Sequence, residues 1–174
     1  MSFLDIVGPM MIGPSSSHTA GAARLGRLAK ACWGTDTLNE VIVFLRGSFA
    51  FTSKGHATDK AVLLGLSGES PETVDPTAVD AVVERVRSEK KLPLGGRREI
   101  GFDEANDLIF RGDQSLPRHP NGMRFVAFDV HDKILACEDY YSVGGGFVVD
   151  EEEAARGQAG ASDAPEPPEF DFAS

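Results

Sequence analysis

The sequence predicts an α+β domain in which helices pack on a mixed or antiparallel sheet. Two patterns point there. Apolar residues at helical spacing are confined to roughly the first half of the chain, and β-rich runs punctuated by turn residues fill most of the second half. At 174 residues with 41% hydrophobic content, the chain suits one compact domain, assigned to residues 1–150, followed by an acidic tail over 151–174.

Each element has its own signal. Residues 3–7 are a short apolar segment, and the Gly-, Pro- and Ser-rich stretch from Gly8 to His18 is a loop. Leu25, Leu28, Ala29 and Cys32 then define one face of a helix from about Thr19 to Trp33. Glu40 to Leu45 is a buried strand, and Gly47 to Thr52 is expected to continue extended with Phe49 and Phe51 on one face. A second helix runs from Asp59 to Leu66, with Thr58 and Asp59 available as caps and Gly68 closing it. A third starts at Asp75-Pro76, with Asp75 as N-cap. Its apolar stripe is Val79, Val82, Val83 and Val86, whereas Arg85, Arg87, Glu89, Lys90 and Lys91 face solvent, and Leu92 to Gly96 ends it. Strands are expected at Arg98–Phe102, Leu108–Arg111, Arg124–Val130 and Lys133–Tyr141, with His131-Asp132 as a hairpin turn. Leu116 to Met123 reads as a loop, and Gly144-Gly145-Gly146 precedes a last strand, Phe147–Val149. From Glu151 onward Ala, Gly, Pro and Glu dominate, as in a linker.

The net charge of −10 is unevenly spread. Asp150 to Ser174 holds eight acids against one base, Arg156, so this segment carries −7 and residues 1–149 only −3. No basic patch exists, which argues against a nucleic-acid partner. No apolar run is long enough for a membrane span, and the N-terminus lacks the basic and apolar regions of a secretory signal. Cys32 and Cys137 lie in apolar runs and read as small core residues of a protein in a reducing cytoplasm. Two cysteines without a CxxC pair cannot by themselves hold a zinc ion or a cubane cluster.

Four segments carry more polar and glycine content than packing requires. Ser15, Ser16, Ser17, His18 and Thr19 meet a helix start, where hydroxyls and free N–H groups suit a carboxylate or phosphate; a plain N-cap and surface loop would use the same residues. His56, framed by Gly55 and Ala57, is uncrowded and could exchange protons near neutral pH, or be incidental to a strand-to-helix turn. His119 and Asn121 flank Pro120 ahead of Gly122, a stiff turn that serves a site or merely a loop. Gly144 to Gly146 permits close approach of a ligand or another backbone, or simple flexibility. Arg46 and Lys54 could be anion ligands, but single basic residues usually just face solvent. Neither a nucleotide-binding glycine motif nor an assignable Ser-His-Asp triad is present.

Together these segments resemble one family, the bacterial iron–sulfur L-serine dehydratases, in their β domain or β subunit. The resemblance runs in order from about Phe3 to Val149. It is carried by Ile12 to Thr19, by Gly47-Ser48 with Lys54-Gly55-His56 and Thr58 to Ala61, by His119 to Met123, and by Tyr141 to Phe147. Ser53 and Ala57 stand where the family pattern more often has glycine. The resemblance implies conversion of L-serine to pyruvate and ammonia, with a [4Fe-4S] cluster held by cysteines of an α domain and not by this chain. It implies that His56 is the α-proton base, that Ser15 to Thr19 hold the substrate carboxylate or shape the cavity, and that His119 and Asn121 line the same cleft. It further implies a fold like the allosteric substrate-binding domain of some phosphoglycerate dehydrogenases. The implied partners are the α domain or subunit, L-serine, and further copies in a homo-oligomer. The absent cluster cysteines suggest a longer chain cut in its interdomain linker, or a two-subunit enzyme. A regulatory serine-binding module, or a docking scaffold, would use the same residues without proton transfer.

Overall fold

A computed structural model describes residues 21–23, 26, 37–51, 57–69, 75, 78–144 and 147–161. The first strand, β1 (Leu38–Gly47), is rich in β-branched and aromatic residues, which favour extended backbone. Its alternation buries Val41, Val43 and Leu45 completely and leaves Ile42 and Phe44 half-buried on the other face. Helices α1 (Thr58–Ser67) and α2 (Val79–Glu89) follow, then a two-stranded hairpin of β2 (Lys91–Leu94) and β3 (Arg98–Gly101). A short helix α3 (Glu104–Asp107) leads into β4 (Leu108–Arg111). Strands β5 (Asn121–Asp129), β6 (Ile134–Gly144) and β7 (Phe147–Asp150) and helix α4 (Glu151–Ala161) complete the described chain.

The main sheet has the order β4-β1-β5-β6-β7. β4 is parallel to β1 and every other pairing is antiparallel, so the sheet is mixed, as the sequence predicts. A parallel pair needs a long crossover, and the helices and hairpin between β1 and β4 supply it. The core lies on the face they cover. Val43 pairs with Phe125 and Leu45 with Met123, all fully buried, and Phe125 meets the Tyr140 ring edge-on at 6.0 Å. Against them packs α1, buried almost all round from Ala61 to Ser67. Burying one such side chain contributes about 1.5–3 kcal/mol.

Helix α1 ends as the sequence indicates. Gly68 adopts φ 95°, its N–H donates to the Gly65 carbonyl, and Glu69 N–H donates to Leu64. The turn of the β2–β3 hairpin covers the remaining end, with Gly95 N–H donating to the Leu66 carbonyl at 2.9 Å. Residues 21–23 and 26 are helical and cross α1 at very short range. A Cβ on Gly65 would lie 2.2 Å from the Ala23 carbonyl oxygen, and one on Gly26 would lie 2.8 Å from the Leu66 nitrogen.

Several expectations are corrected. Residues 48–51 are helical, not extended, because Gly47 at φ 53° turns the chain out of the strand. Phe49 is therefore buried while Phe51 is 78% exposed. The N-cap of α1 is Ala57, with no side-chain cap, so neither Thr58 nor Asp59 serves there. That of α2 is Ala78, whose N–H donates to the Asp75 carbonyl, so α2 starts at Val79 and not at Asp75-Pro76. Arg87 is exposed as expected, but it is also ion-paired. It holds Glu104 at 2.6 and 2.9 Å and Asp59 at 2.9 Å, tying α2 to both α1 and α3, and these carboxylates raise its pKa further. Lys91 to Leu94 is a strand, because Leu92 and Leu94 bury one side of the hairpin. Cys137 is exposed, since it pairs with Val126 on the face away from the core. The expected tail begins instead as α4. Asp150 and Glu153 form a reciprocal capping box there, with Glu153 N–H donating to Asp150 Oδ1 at 2.8 Å and Asp150 N–H to Glu153 Oε2 at 3.3 Å. Residues 162–174 lie outside the described residues.

Candidate functional site

Pairing in the sheet gathers parts of three polar motifs at one end. Gly47, the last residue of β1, lies opposite Asn121, the first of β5. Gly122 lies opposite Tyr141 of β6, so Ser142 is next to Asn121 across the ladder. The Asn121 side-chain amide donates to the Ser142 carbonyl at 3.5 Å. Asn121 is 9% exposed and Ser142 is fully buried, with a hydroxyl that has no hydrogen-bond partner. Such a group carries an uncompensated desolvation cost. Asn121 and Gly122 thus belong to a strand and not to a loop, because β1 continues to Gly47 and extends the ladder.

The segment before β5, residues 112–120, folds over this end of the sheet and is sewn to β1. Gly47 N–H donates to the Gln114 carbonyl at 2.9 Å, and Ser48 N–H to the Pro120 carbonyl at 3.0 Å. Arg46 Nη1 donates to Gln114 Oε1, while Arg46 Nε is buried without a partner, so Arg46 is not the solvated residue expected. Gly47 is required here. Its φ is left-handed, and a Cβ would sit 2.6 Å from the Pro120 oxygen.

His119 sits in this segment, half-buried. Its Nδ1 accepts from the Asn121 N–H at 3.1 Å. That bond assigns the proton of the neutral ring to Nε2, leaving a donor directed elsewhere. Burial lowers its pKa from the ordinary 6.5, so the ring is neutral at pH 7. His119 and Asn121 are therefore joined by a hydrogen bond.

The other motif residues are placed differently. Ala57 stands at φ 54° at the start of α1, a left-handed conformation that costs alanine about 1 kcal/mol more than glycine. Thr58 beside it is buried with an unpaired hydroxyl. His56 and Ser15, Ser16, Ser17, His18 and Thr19 lie outside the described residues, as do Gly145 and Gly146.

Sequence reasoning missed Tyr141, Glu151 and Arg118. The buried Tyr141 hydroxyl donates to Glu151 Oε2, and Arg118 Nε donates to Glu151 Oε1 at 2.9 Å. Burial raises the Tyr141 pKa, and the Glu151 carboxylate adds to that. The Tyr141 hydrogen bond and then Arg118 lower that of Glu151. The capping-box pattern Asp150-x-x-Glu153 was the available signal, because it predicts a helix that carries Glu151.

Among the described residues, no three His, Cys, Asp or Glu side chains converge on a metal-binding point, and Cys137 is exposed and alone. With only two cysteines in the whole sequence, the donor set does not fit an iron–sulfur cluster. No helix among the described residues is long and apolar enough to cross a membrane.

The fold and site define an α+β domain with a neutral histidine, an asparagine and an unpaired serine hydroxyl gathered at one end of a mixed sheet. The chain belongs to the serine dehydratase beta chain family, whose model matches residues 2–153. It is 45% identical over 145 residues to an L-serine dehydratase of Streptomyces coelicolor, covering 81% of this chain and 32% of that protein. It is 43% identical over 147 residues to the L-serine dehydratase TdcG of Escherichia coli, covering 81% of this chain and 32% of that protein. It is 42% identical over 144 residues to an L-serine dehydratase of Helicobacter pylori, covering 82% of this chain and 31% of that protein. The chain thus spans about one third of the length of these relatives.

Proposed function

We propose that this chain is the β half of an L-serine dehydratase and acts with an α domain or subunit to convert L-serine to pyruvate and ammonia. The observation that supports this best is the meeting of Gly47, His119, Asn121 and Ser142 at one sheet end, in a chain of the serine dehydratase beta chain family. These residues suit a small polar substrate. The His119 Nε2–H and the Asn121 amide can donate to a carboxylate or hydroxyl, and the Ser142 hydroxyl lacks a partner that a ligand or the α half would provide.

The proposed division of labour rests on the donor set. The α half holds the [4Fe-4S] cluster, which this chain's residues do not fit. His56 takes the α-proton of L-serine, a step to which an imidazole base is suited. Ser15 to Thr19 hold the carboxylate, with His119 and Asn121 lining the cleft. Loss of the β-hydroxyl as water leaves aminoacrylate, which tautomerises to the imine and hydrolyses to pyruvate and ammonia. The enzyme works in the cytoplasm as a homo-oligomer.

The test is product formation by the full-length gene product, purified anaerobically and given L-serine, D-serine or no substrate. Pyruvate and ammonia should appear in equal amounts from L-serine alone. Raised thermal stability with L-serine but no pyruvate would replace catalysis by a regulatory binding role. Neither effect would reduce the chain to a docking scaffold.

A further inference from the structure

We infer that Tyr141, Glu151 and Arg118 form a latch behind the candidate site that fixes the position of His119. The inference rests on the reading of His119 as a substrate-facing residue.

Successive residues of a strand point to opposite faces. Asn121 and Ser142 share one face of the sheet end, and Gly122 and Tyr141 share the other. On that second face lies a small apolar cluster of Leu116, Tyr141 and Ala154, with Val149 packed on it. Leu116 seats directly on Gly122, where a Cβ would come within 2.8 Å of Leu116 Cδ1. The segment that carries His119 is thus anchored from behind by Leu116 and from the front by its bonds to Gly47 and Ser48.

Arg118, immediately before His119, is the remaining anchor. Its partner Glu151 is 43% exposed, and an exposed ion pair alone stabilises a fold very little. Glu151 is not held by Arg118 alone, however. The phenol of a fully buried ring occupies its other oxygen, and a buried tyrosine hydroxyl requires such a partner. One carboxylate therefore joins a fixed core residue to the backbone next to His119. Glu151 is in the first turn of α4, so the latch also couples this helix to the site. Tyr141 stays protonated and Glu151 ionised through the neutral range, which keeps the latch closed there. In this scheme Glu151 and Tyr141 are positioning residues.

The test is a double-mutant cycle on kcat/KM for L-serine in the full-length holoenzyme, using His119→Ala, Glu151→Ala and both together. Tyr141→Phe serves as a second probe because it keeps the buried ring and removes only the hydroxyl. Glu151→Ala and Tyr141→Phe should each lower kcat/KM about tenfold in the wild-type background, as expected for a misplaced binding group. Neither should have a further effect once His119 is alanine. If the same tenfold loss recurs in the His119→Ala background, the trio is merely structural and the latch is overturned. Wild-type turnover in both single variants overturns it as well. If His119→Ala itself leaves kcat/KM unchanged, the substrate-facing reading of His119 fails and takes the latch with it.

Discussion

Gly65→Ala should lower the stability of the protein by about 2 kcal/mol or more, whereas Gly101→Ala should stay within about 0.5 kcal/mol of wild type. Both substitutions add one methyl group. At Gly65 it would sit 2.2 Å from the Ala23 carbonyl oxygen and 2.9 Å from its carbonyl carbon, both backbone atoms of a helix. Gly26 faces the same crossing from the other side, so the two backbones touch with no flexible side chain to move aside. Relief requires the helices to part, which would open the packing of Ala22 and Ala23 against the core. The better helix propensity of alanine returns only about 1 kcal/mol. At Gly101, nothing lies within 4 Å of the new Cβ. Denaturant unfolding of the two variants measures the difference; equal midpoints would contradict the close helix crossing.

His119→Ala should lower kcat/KM for L-serine about 10- to 100-fold, the range for losing one hydrogen bond to a charged group. Most of the loss should fall on KM, since the residue is assigned to binding. The substitution removes the Nε2–H donor and also the Nδ1 acceptor of the Asn121 N–H. Acid should act in the same direction. Protonation of Nδ1 destroys that acceptor, and burial holds the folded pKa below 6.5. The unfolded chain takes up this proton first. The contribution to stability is therefore complete above pH 6.5 and is lost as pH falls through the folded value. An unchanged KM in the variant would remove His119 from the substrate.

Much of the architecture was legible because it rests on short-range rules. The alternation in β1, the valine stripe of α2, the Gly68 terminus and the His131-Asp132 turn are each set by a few neighbouring residues. The misses have a common cause. Residues 48–51 look extended until the pairing of Gly47 with Asn121, and the fold of 112–120 over it, force a left-handed turn. Arg87 is exposed as read, but its pairing is hidden because Asp59 and Glu104 are distant in sequence. Lys91 to Leu94 reads as a helix exit because the partner strand that defines it comes later in the chain. At the site, the types and order of residues identified the family. Tyr141 and Ser142 were visible only as parts of a motif, since alternation gives them opposite faces and hence different tasks. Glu151 was hidden by the composition around it, although the capping box beginning at Asp150 was there to be read.

The proposal that this chain supplies chemical groups, and not merely a scaffold, is decided by pyruvate release from L-serine under strict anaerobic conditions with the full-length gene product, wild type beside His56→Ala. The account predicts turnover in the wild type and a loss of about 100- to 10,000-fold in a folded variant whose partner retains its cluster. Equal turnover in the two proteins would move the base to the α half and contradict the catalytic role proposed for this chain.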